Sequence, residues 1–527
     1  MTGGEHVLAI DLGTSGPKVA IVSPDGEIVA HDFEPVELLL LGDGAEQDPD
    51  DWWRAITTAV RRLPGRDTVS AVCVSGQWGG TVPVSRTGQH LHNALIWMDG
   101  RGAPEVARLV GGGLELPGTG YNARKLADWL RRNGGLPSLT GKDPVGQMHW
   151  LAQHRPDVYA RTATFLDVPE YLTMRLSGVA TATYDSIAMR WCTDNRDVRR
   201  IRYDERLLAH CGLDRARLPD LREPATVVGP ILRSAARELG VGEHVQVVTG
   251  TGDTLAAAVG SGAIADFDTH LYVGTSSWLS CHVPFKRTDA RHAIASLPSI
   301  VPGRYWVASI QDVAGKAIDW LIDNVVWADD GLTGEARPQD ALARLNDLAA
   351  KAPPASNGVL FLPWLNGERT PVENPSLRGG WFNVGLVSSR ATLARSVFEG
   401  VALNARWMRD AVERFVAKGG GPPARSVRFI GGGASSPLWC QIMADVLDVS
   451  VRQVRDPTLA NVRGAGLIAL VALGRLRWTD IPDRVQIAET YDPDPANRAA
   501  YDQAYATFRT YYRRTRPLYA ATQRARP

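Results

Sequence analysis

Two similar α/β domains facing one another across a cleft are the fold class this sequence predicts, and three observations predict it. The chain has 527 residues, more than one hydrophobic core normally serves, so two domains of ordinary size are expected. The stretches "AIDLGTSGPKVAIV" (9–22) and "HLYVGTSSWLSCHV" (270–283) share one pattern of strand, Gly-Thr-Ser turn and strand, a weak internal repeat. "SVRFIGGGASSPLWCQIMADVLDV" (426–449) reads as strand, glycine loop and helix. A duplicated unit of this kind puts its two turns on opposite sides of a cleft, where ligands are bound.

The elements follow in order. "HVLAID", "PKVAIVS" and "EIVAHDF" are short β-branched segments joined by the turn sequences "LGTSG" and "PDG". "DTVSAVCVSGQ" adds a strand that ends in a glycine loop. From about 100 to 245 the chain is richer in Arg, Trp and helical spacing, with prolines marking breaks. The opening pattern returns in "HVQVVTGTGD" (244–253). A helix is expected over about 391–415, with Leu393, Val397, Val401, Met408 and Val412 on one face. Ser436 is placed to cap the next helix and Pro437 to fill its first turn. Trp439, Ile442, Met443, Val446 and Leu447 then form its apolar stripe. The last forty residues read as helix, and their five arginines from Arg513 onward as a solvated helix end.

Composition narrows the function classes. Apolar residues make up 44 % and charged residues 22 %, with a formal net charge of +1. That is a globular composition with no global field directed at nucleic acid or an anionic membrane. Cys73, Cys192, Cys211, Cys281 and Cys440 are scattered, without metal-ligand spacing, which suits a reducing cytosol. The start shows no secretory pattern, and no uncharged run reaches the roughly 20 residues a membrane span needs. A cytoplasmic protein is expected.

The glycine turns carry the chemistry. A strand ending in Gly-Thr-Ser offers backbone N–H groups and hydroxyls that can surround a phosphate. One such loop is ordinarily a tight turn. Two in repeated contexts, "DLGTSG" and "YVGTSS", with a third at "GGGASS", are what a split nucleotide site requires. Walker and protein-kinase patterns are absent from the sequence. Asp11 closes the first strand, where a carboxylate can hold Mg2+ directly or through water; a helix cap or turn residue is its other reading. Phosphoryl transfer to an alcohol asks the protein to align two substrates, neutralise charge and take one hydroxyl proton. Asp253, between glycines at a strand end, suits that last task, although alone it would read as an Asp satisfying its own turn amides.

These residues also match a family pattern. "IDLGTSGPK" (10–18), "VSGQWGG" (74–80), "IWMDGRG" (96–102), "VPEYLTMRLSG" (168–178) and "TATYDSIAMRWCTDN" (181–195) occur in the family's order. "TGTGDT" (249–254), "YVGTSS" (272–277), "FLPWLNGERTP" (361–371), "FEGVALNARW" (398–407) and "GGGASSPLWCQIMADV" (431–446) continue it. The chain resembles the FGGY carbohydrate kinases of the actin/hexokinase/Hsp70-like ATPase superfamily, and within them the members acting on D-xylulose.

The resemblance implies two RNase-H-like domains flanking a cleft, an N-terminal one over 1–248 and a C-terminal one over 249–490. A helical tail over 491–527 would pack on the second. It implies an ATP- and Mg2+-dependent kinase, with D-xylulose to D-xylulose 5-phosphate the foremost reaction. Ribulose, a tetritol or a glycerol-sized acceptor is the alternative, and a non-catalytic nucleotide-dependent sugar-binding protein is a rival from another class. Asp253 would be the base and Asp11 would assist the metal. Gly13, Thr14 and Ser15 would meet phosphates from one side, and Gly274, Thr275 and Ser276 from the other. Gly432, Gly433 and Ala434, with Ser436 nearby, would border the nucleotide. Gln77, Trp78, Gly79, Asp253 and Thr254 would face the sugar. Family habit suggests a homodimer, with no nucleic acid or membrane partner.

The sequence departs from the D-xylulose members on the sugar side. Their loop usually reads Ser-Gly-Gln-Met-His-Gly, and here Trp78 and Gly79 hold the Met and His positions. Thr254 stands for the usual Asn, and Gln147 for an expected lysine. Losing an imidazole and an amide changes which hydroxyls can be held. Trp78 is open to three readings: stacking on a sugar face, shrinking the pocket, or packing under the loop. The Glu and Arg of "NGERTP" look catalytic, and the structural reading, at the domain hinge, is preferred. Asp99 and Arg101 read equally as substrate contacts or as a brace for the sugar loop. His149 and His154, lacking a third ligand, read as surface residues.

Overall fold

A computed structural model of the protein describes residues 5–331 and 336–524, with side chains through residue 519. One sheet gathers β1 (His6–Gly13), β2 (Gly16–Val22), β3 (Ile28–Phe33), β4 (Val69–Gly76), β5 (Val227–Pro230), β6 (Gln246–Val248) and β7 (Thr251–Gly252). A second gathers β8 (Thr269–Val273), β9 (Ser277–Val283), β10 (Leu297–Pro298), β11 (Tyr305–Gln311), β12 (Ser426–Ile430), β13 (Ser450–Val454) and β14 (Ile487–Tyr491).

The two sheets repeat one topology. The first runs β5-β6-β4-β1-β2-β3, with β7 also on β4, and the second runs β10-β11-β9-β8-β12-β13-β14. In each, an antiparallel meander (β1-β2-β3; β8-β9-β11) joins a parallel pair (β1-β4; β8-β12). A further parallel strand (β6; β13) and an antiparallel one (β5; β14) follow. The internal repeat is therefore a structural duplication. Val7, Leu8, Ala9, Ile10 and Leu12 of β1 are all buried, as a strand covered on both faces requires.

The helices supply those covers. They include α1 (Pro49–Arg62), α2 (Val168–Ser177), α3 (Asp253–Ser261), α4 (Arg390–Lys418), α5 (Pro437–Leu447), α6 (Ala460–Ala472) and α7 (Arg498–Arg524). Helix α4 contains the expected stripe, with Val397, Val401, Met408 and Val412 buried. Helix α5 begins as expected: Ser436 Oγ accepts from Trp439 N at 3.1 Å and Pro437 fills the first turn. Tyr501 and Phe508 of α7 are buried, the latter with its ring 5.2 Å from that of Trp364. Arg513, Arg514 and Arg516 are exposed, while the side chains of Arg524 and Arg526 lie outside the described residues. Between β4 and β5 the chain builds an apolar cluster of its own around Trp129, Trp150 and Trp191.

Helices α3 and α6 form the layer between the sheets, in one cluster with Val7, Ala9 and Val248 from the first and Ile430 and Val454 from the second. They meet backbone to backbone. A Cβ on Gly260 would lie 1.7 Å from the Ala460 carbonyl oxygen, and one on Gly464 would lie 1.9 Å from that of Ala256. Only glycine permits this approach. The start of α3, and with it Asp253, is thereby held against both halves of the molecule. Among the described residues, no helix is long and apolar enough to cross a membrane.

Candidate active site

Strand register assembles the floor of the cleft. In the parallel β1-β4 pair Asp11 stands opposite Ser75 and Leu12 opposite Gly76. In the parallel β4-β7 pair Ser75 stands opposite Thr251 and Gly76 opposite Gly252. Asp11, the Gln77–Gly80 loop and Asp253 therefore emerge side by side from the carboxyl ends of neighbouring strands, where open α/β sheets bind ligands. The second sheet repeats the arrangement. Tyr272 pairs with Ile430, so the Gly274–Ser276 turn and the Gly431–Ser436 loop also emerge together.

The carboxylates crowd one another. Asp11 is 5 % exposed and accepts from Ser75 Oγ at 2.8 Å. Burial raises its pKa, against the pull of Lys18. Asp253 accepts at Oδ1 from its neighbour's amide, Thr254 N, at 2.7 Å. Its carboxyl is pushed up to about 7, first by desolvation and then by the charges of Asp11 and Asp167. A carboxyl poised near neutrality is what a general base for proton transfer needs. The Thr254 hydroxyl is buried without a hydrogen-bond partner among the described residues.

The sugar loop is held from every side. Asp167 accepts from the amides of Gly79 and Gly80, each at 3.0 Å, and also closes a capping box with Glu170 at the start of α2. Gln147, fully buried, donates from Nε2 to the carbonyls of Gly79 (3.2 Å) and Ile96 (2.9 Å). Gln77 donates to Gln47 Oε1 at 2.7 Å and lies 3.4 Å from the Thr14 hydroxyl. Trp78 Nε1 donates to Ser186 O at 2.9 Å, and its ring lies 6.2 Å edge-on from Trp306 of the second sheet. Of the three readings of Trp78, this geometry favours packing. Arg101 spans Asp99 and Glu46, both at 2.6 Å, and Asp99 accepts from Ala45 N, so this pair is a brace. His149 bonds the Cys211 carbonyl and His154 stacks on Trp150.

The opposite wall is close-packed at Gly431 and Gly433 and open at Gly432. Gly431 adopts φ 88°, and a Cβ there would lie 2.5 Å from the Val273 carbonyl oxygen. A Cβ on Gly432 would meet nothing within 4 Å. Ser436 donates to Asn346 Oδ1 at 2.5 Å besides capping α5, and the buried Ala434 offers its carbonyl to Gln453 Nε2 at 2.6 Å. Gly274 and Thr275 are tied by their carbonyls to the amides of Gly315 (2.7 Å) and Ala314 (3.0 Å).

Sequence reasoning missed Asp167 and Trp97. The capping-box spacing of Asp167 and Glu170 was the available signal for the first. For Trp97, whose Nε1 donates to Thr14 Oγ1 at 3.1 Å, no local pattern exists.

A duplicated sheet frame, with paired hydroxyl-bearing turns and carboxylates at the strand ends, defines a two-domain fold of the actin/hexokinase type. Residues 6–260 match the N-terminal domain model of the FGGY family of carbohydrate kinases, and residues 270–473 match the C-terminal one. The chain is 28 % identical to the xylulose kinase of Escherichia coli (strain K12), over 97 % of this chain and 100 % of that one. It is 30 % identical to the xylulose kinase of Streptomyces rubiginosus, over 89 % and 88 %. Its fold matches the crystal structure of gluconate kinase from Lactobacillus acidophilus with a TM-score of 0.83 at 20 % identity, covering 98 % of this chain and 99 % of that one. This chain belongs to the FGGY family of carbohydrate kinases. Membership implies ATP as a substrate and a divalent metal requirement.

Proposed function

We propose that the chain transfers the γ-phosphoryl group of ATP to a hydroxyl of D-xylulose, giving D-xylulose 5-phosphate, with Asp253 as the general base. The observation that carries this reading is the shared register of β1, β4 and β7, which brings Asp11, the sugar loop and Asp253 together. The names of the E. coli and S. rubiginosus relatives supply the acceptor. The two domains meet near residue 249, and helix α7 of the tail packs against α4 and α5 of the second.

Each residue has a part. The Gly13–Ser15 turn and the Gly274–Ser276 turn grip the triphosphate from two sides, through backbone amides and hydroxyls. Gly432, Gly433 and Ala434 border the nucleoside, with open space at Gly432, and Ser436 fixes the helix behind it. Gln77 and Gly79 shape the sugar pocket from a braced loop, with Trp78 walling it. The partnerless Thr254 hydroxyl is available to an acceptor hydroxyl. Asp11 fits an Mg2+ ion: a buried carboxylate whose pKa burial has raised gains from a neighbouring cation. When bound, the ion neutralises phosphate charge. In the transfer, the acceptor oxygen forms a bond to the γ-phosphorus as the bond from that phosphorus to the bridging oxygen breaks. The bonding pair leaves on ADP, and the hydroxyl proton passes to Asp253. Closure about the α3-α6 layer excludes water, the competing acceptor.

The test is an ADP-release assay over pentuloses, tetritols, glycerol, gluconate and hexuloses. D-xylulose is expected to give the highest kcat/KM. A tetritol or gluconate exceeding it would replace the acceptor while leaving the transfer chemistry in place.

A further inference from the structure

Arg369, in "NGERTP", stands between the walls of the two phosphate turns. On one side its guanidinium pairs with Asp312 Oδ1 at 2.7 Å. Asp312 directly follows β11, whose Gln311 is paired with Ser277 at the end of the second turn, and the next residues clasp that turn through Ala314 N and Gly315 N. On the other side the guanidinium carbon lies 5.6 Å from the centre of the Trp97 ring. Trp97 is bonded in turn to Thr14 of the first turn. One cation thus neighbours both.

Its mounting is rigid. Glu368, 3 % exposed, accepts at Oε1 from the amides of Arg369 (2.9 Å) and Asp312 (3.1 Å), and at Oε2 from Asn404 Nδ2 (2.8 Å). Thr370 Oγ1 donates to the Ile310 carbonyl at 2.8 Å. The Arg369 side chain nevertheless stays 38 % exposed. An ion pair this open contributes little to stability, too little to explain so elaborate a support. The register of β1, β4 and β7 brings Asp11 and Asp253 together, with Asp167 close enough to act on Asp253, and these carboxylates repel an incoming triphosphate.

We propose that Arg369 is a catalytic residue, whose guanidinium reaches the γ-phosphoryl oxygens during transfer and stabilises the charge they carry. This rests on the reading of the cleft as a phosphoryl-transfer site, with the same bonds made and broken. The purpose of the hinge motif would then be to carry this charge.

Full-length Arg369→Gln and Arg369→Lys test it, by kcat and by calorimetric affinity for ADP with and without aluminium fluoride, a mimic of the phosphoryl group, in the presence of sugar. The Gln variant is expected to lose about 10²-fold in kcat, with the sugar KM within about threefold. It should bind ADP normally yet lose the added affinity conferred by aluminium fluoride. The Lys variant should recover part of both, short of wild type, because it lacks the planar fork. Wild-type kcat in the Gln variant, or an equal loss of affinity for ADP alone, would overturn the proposal. Should the Gln variant fail to fold, the Lys variant decides: reduced kcat with weakened aluminium fluoride enhancement supports it, and wild-type values for both refute it. A wild-type protein that phosphorylates no sugar would instead remove the function proposed above.

Discussion

The loop after β4 and the loop after β12 occupy the same place in the two sheets and hold their amides differently, the first largely by side chains from distant segments and the second by backbone carbonyls. After β4, the Gln77 amide, the Trp78 indole N–H and the amides of Gly79 and Gly80 are all engaged by protein partners. After β12, the amides of Gly431, Ala434 and Ser436 donate to the carbonyls of Pro457, Gly431 and Gly433, and of the three glycines only Gly432 would give a Cβ no neighbour within 4 Å. One duplicated frame therefore carries two differently built loops. Open backbone suits a nucleotide, whose phosphates and flat base ask for N–H groups and space. A braced loop suits a sugar, whose hydroxyl pattern must be told apart by groups held in fixed positions.

The largest expected effect comes from Asp253, beside the first of these loops. Asp253→Asn should lower kcat by about 10²–10⁴-fold, while calorimetry shows ATP still bound, because the open wall is untouched. Wild-type kcat/KM should fall as pH drops below about 7, since a base acts only when ionised and the Asp253 carboxyl is raised to about 7. Turnover unchanged in the variant would mean the proton leaves by another route.

A smaller effect sharpens the comparison on the braced side. The double change Trp78→Met with Gly79→His restores the residues usual in the members acting on D-xylulose. It should alter the kcat/KM ratio between D-xylulose and a tetritol by about 10-fold, with the KM for ATP unmoved. A change in the ATP constant instead would show that the two loops are not independent.

The same contrast explains what was legible in the sequence. Nucleotide-side recognition rests on backbone, and backbone freedom is written locally as glycine, so the three turns, the Ser436 cap and the repeat could be read directly. The aspartates at strand ends were equally visible, because Asp11 and Asp253 break apolar runs. The sugar side depends on distant partners. That Trp78 would donate to Ser186, or that Gln147 would hold the Gly79 carbonyl, follows from the path of the chain between β4 and β5, not from local spacing. Arg369 meets Trp97 only because the two domains face each other. In sequence, its motif has the look of catalysis, but the hinge reading is preferred.

The central claim is that Asp253 takes the proton from the sugar hydroxyl while the two Gly-Thr-Ser turns hold the triphosphate. The most direct measurement is a crystal structure of the closed enzyme with D-xylulose and a non-hydrolysable ATP analogue. The account predicts an Asp253 carboxylate oxygen about 2.6–3.2 Å from one sugar hydroxyl, with that hydroxyl in line with the γ-phosphorus. A sugar bound with Asp253 out of hydrogen-bond reach of every hydroxyl, directly or through one water, would contradict it.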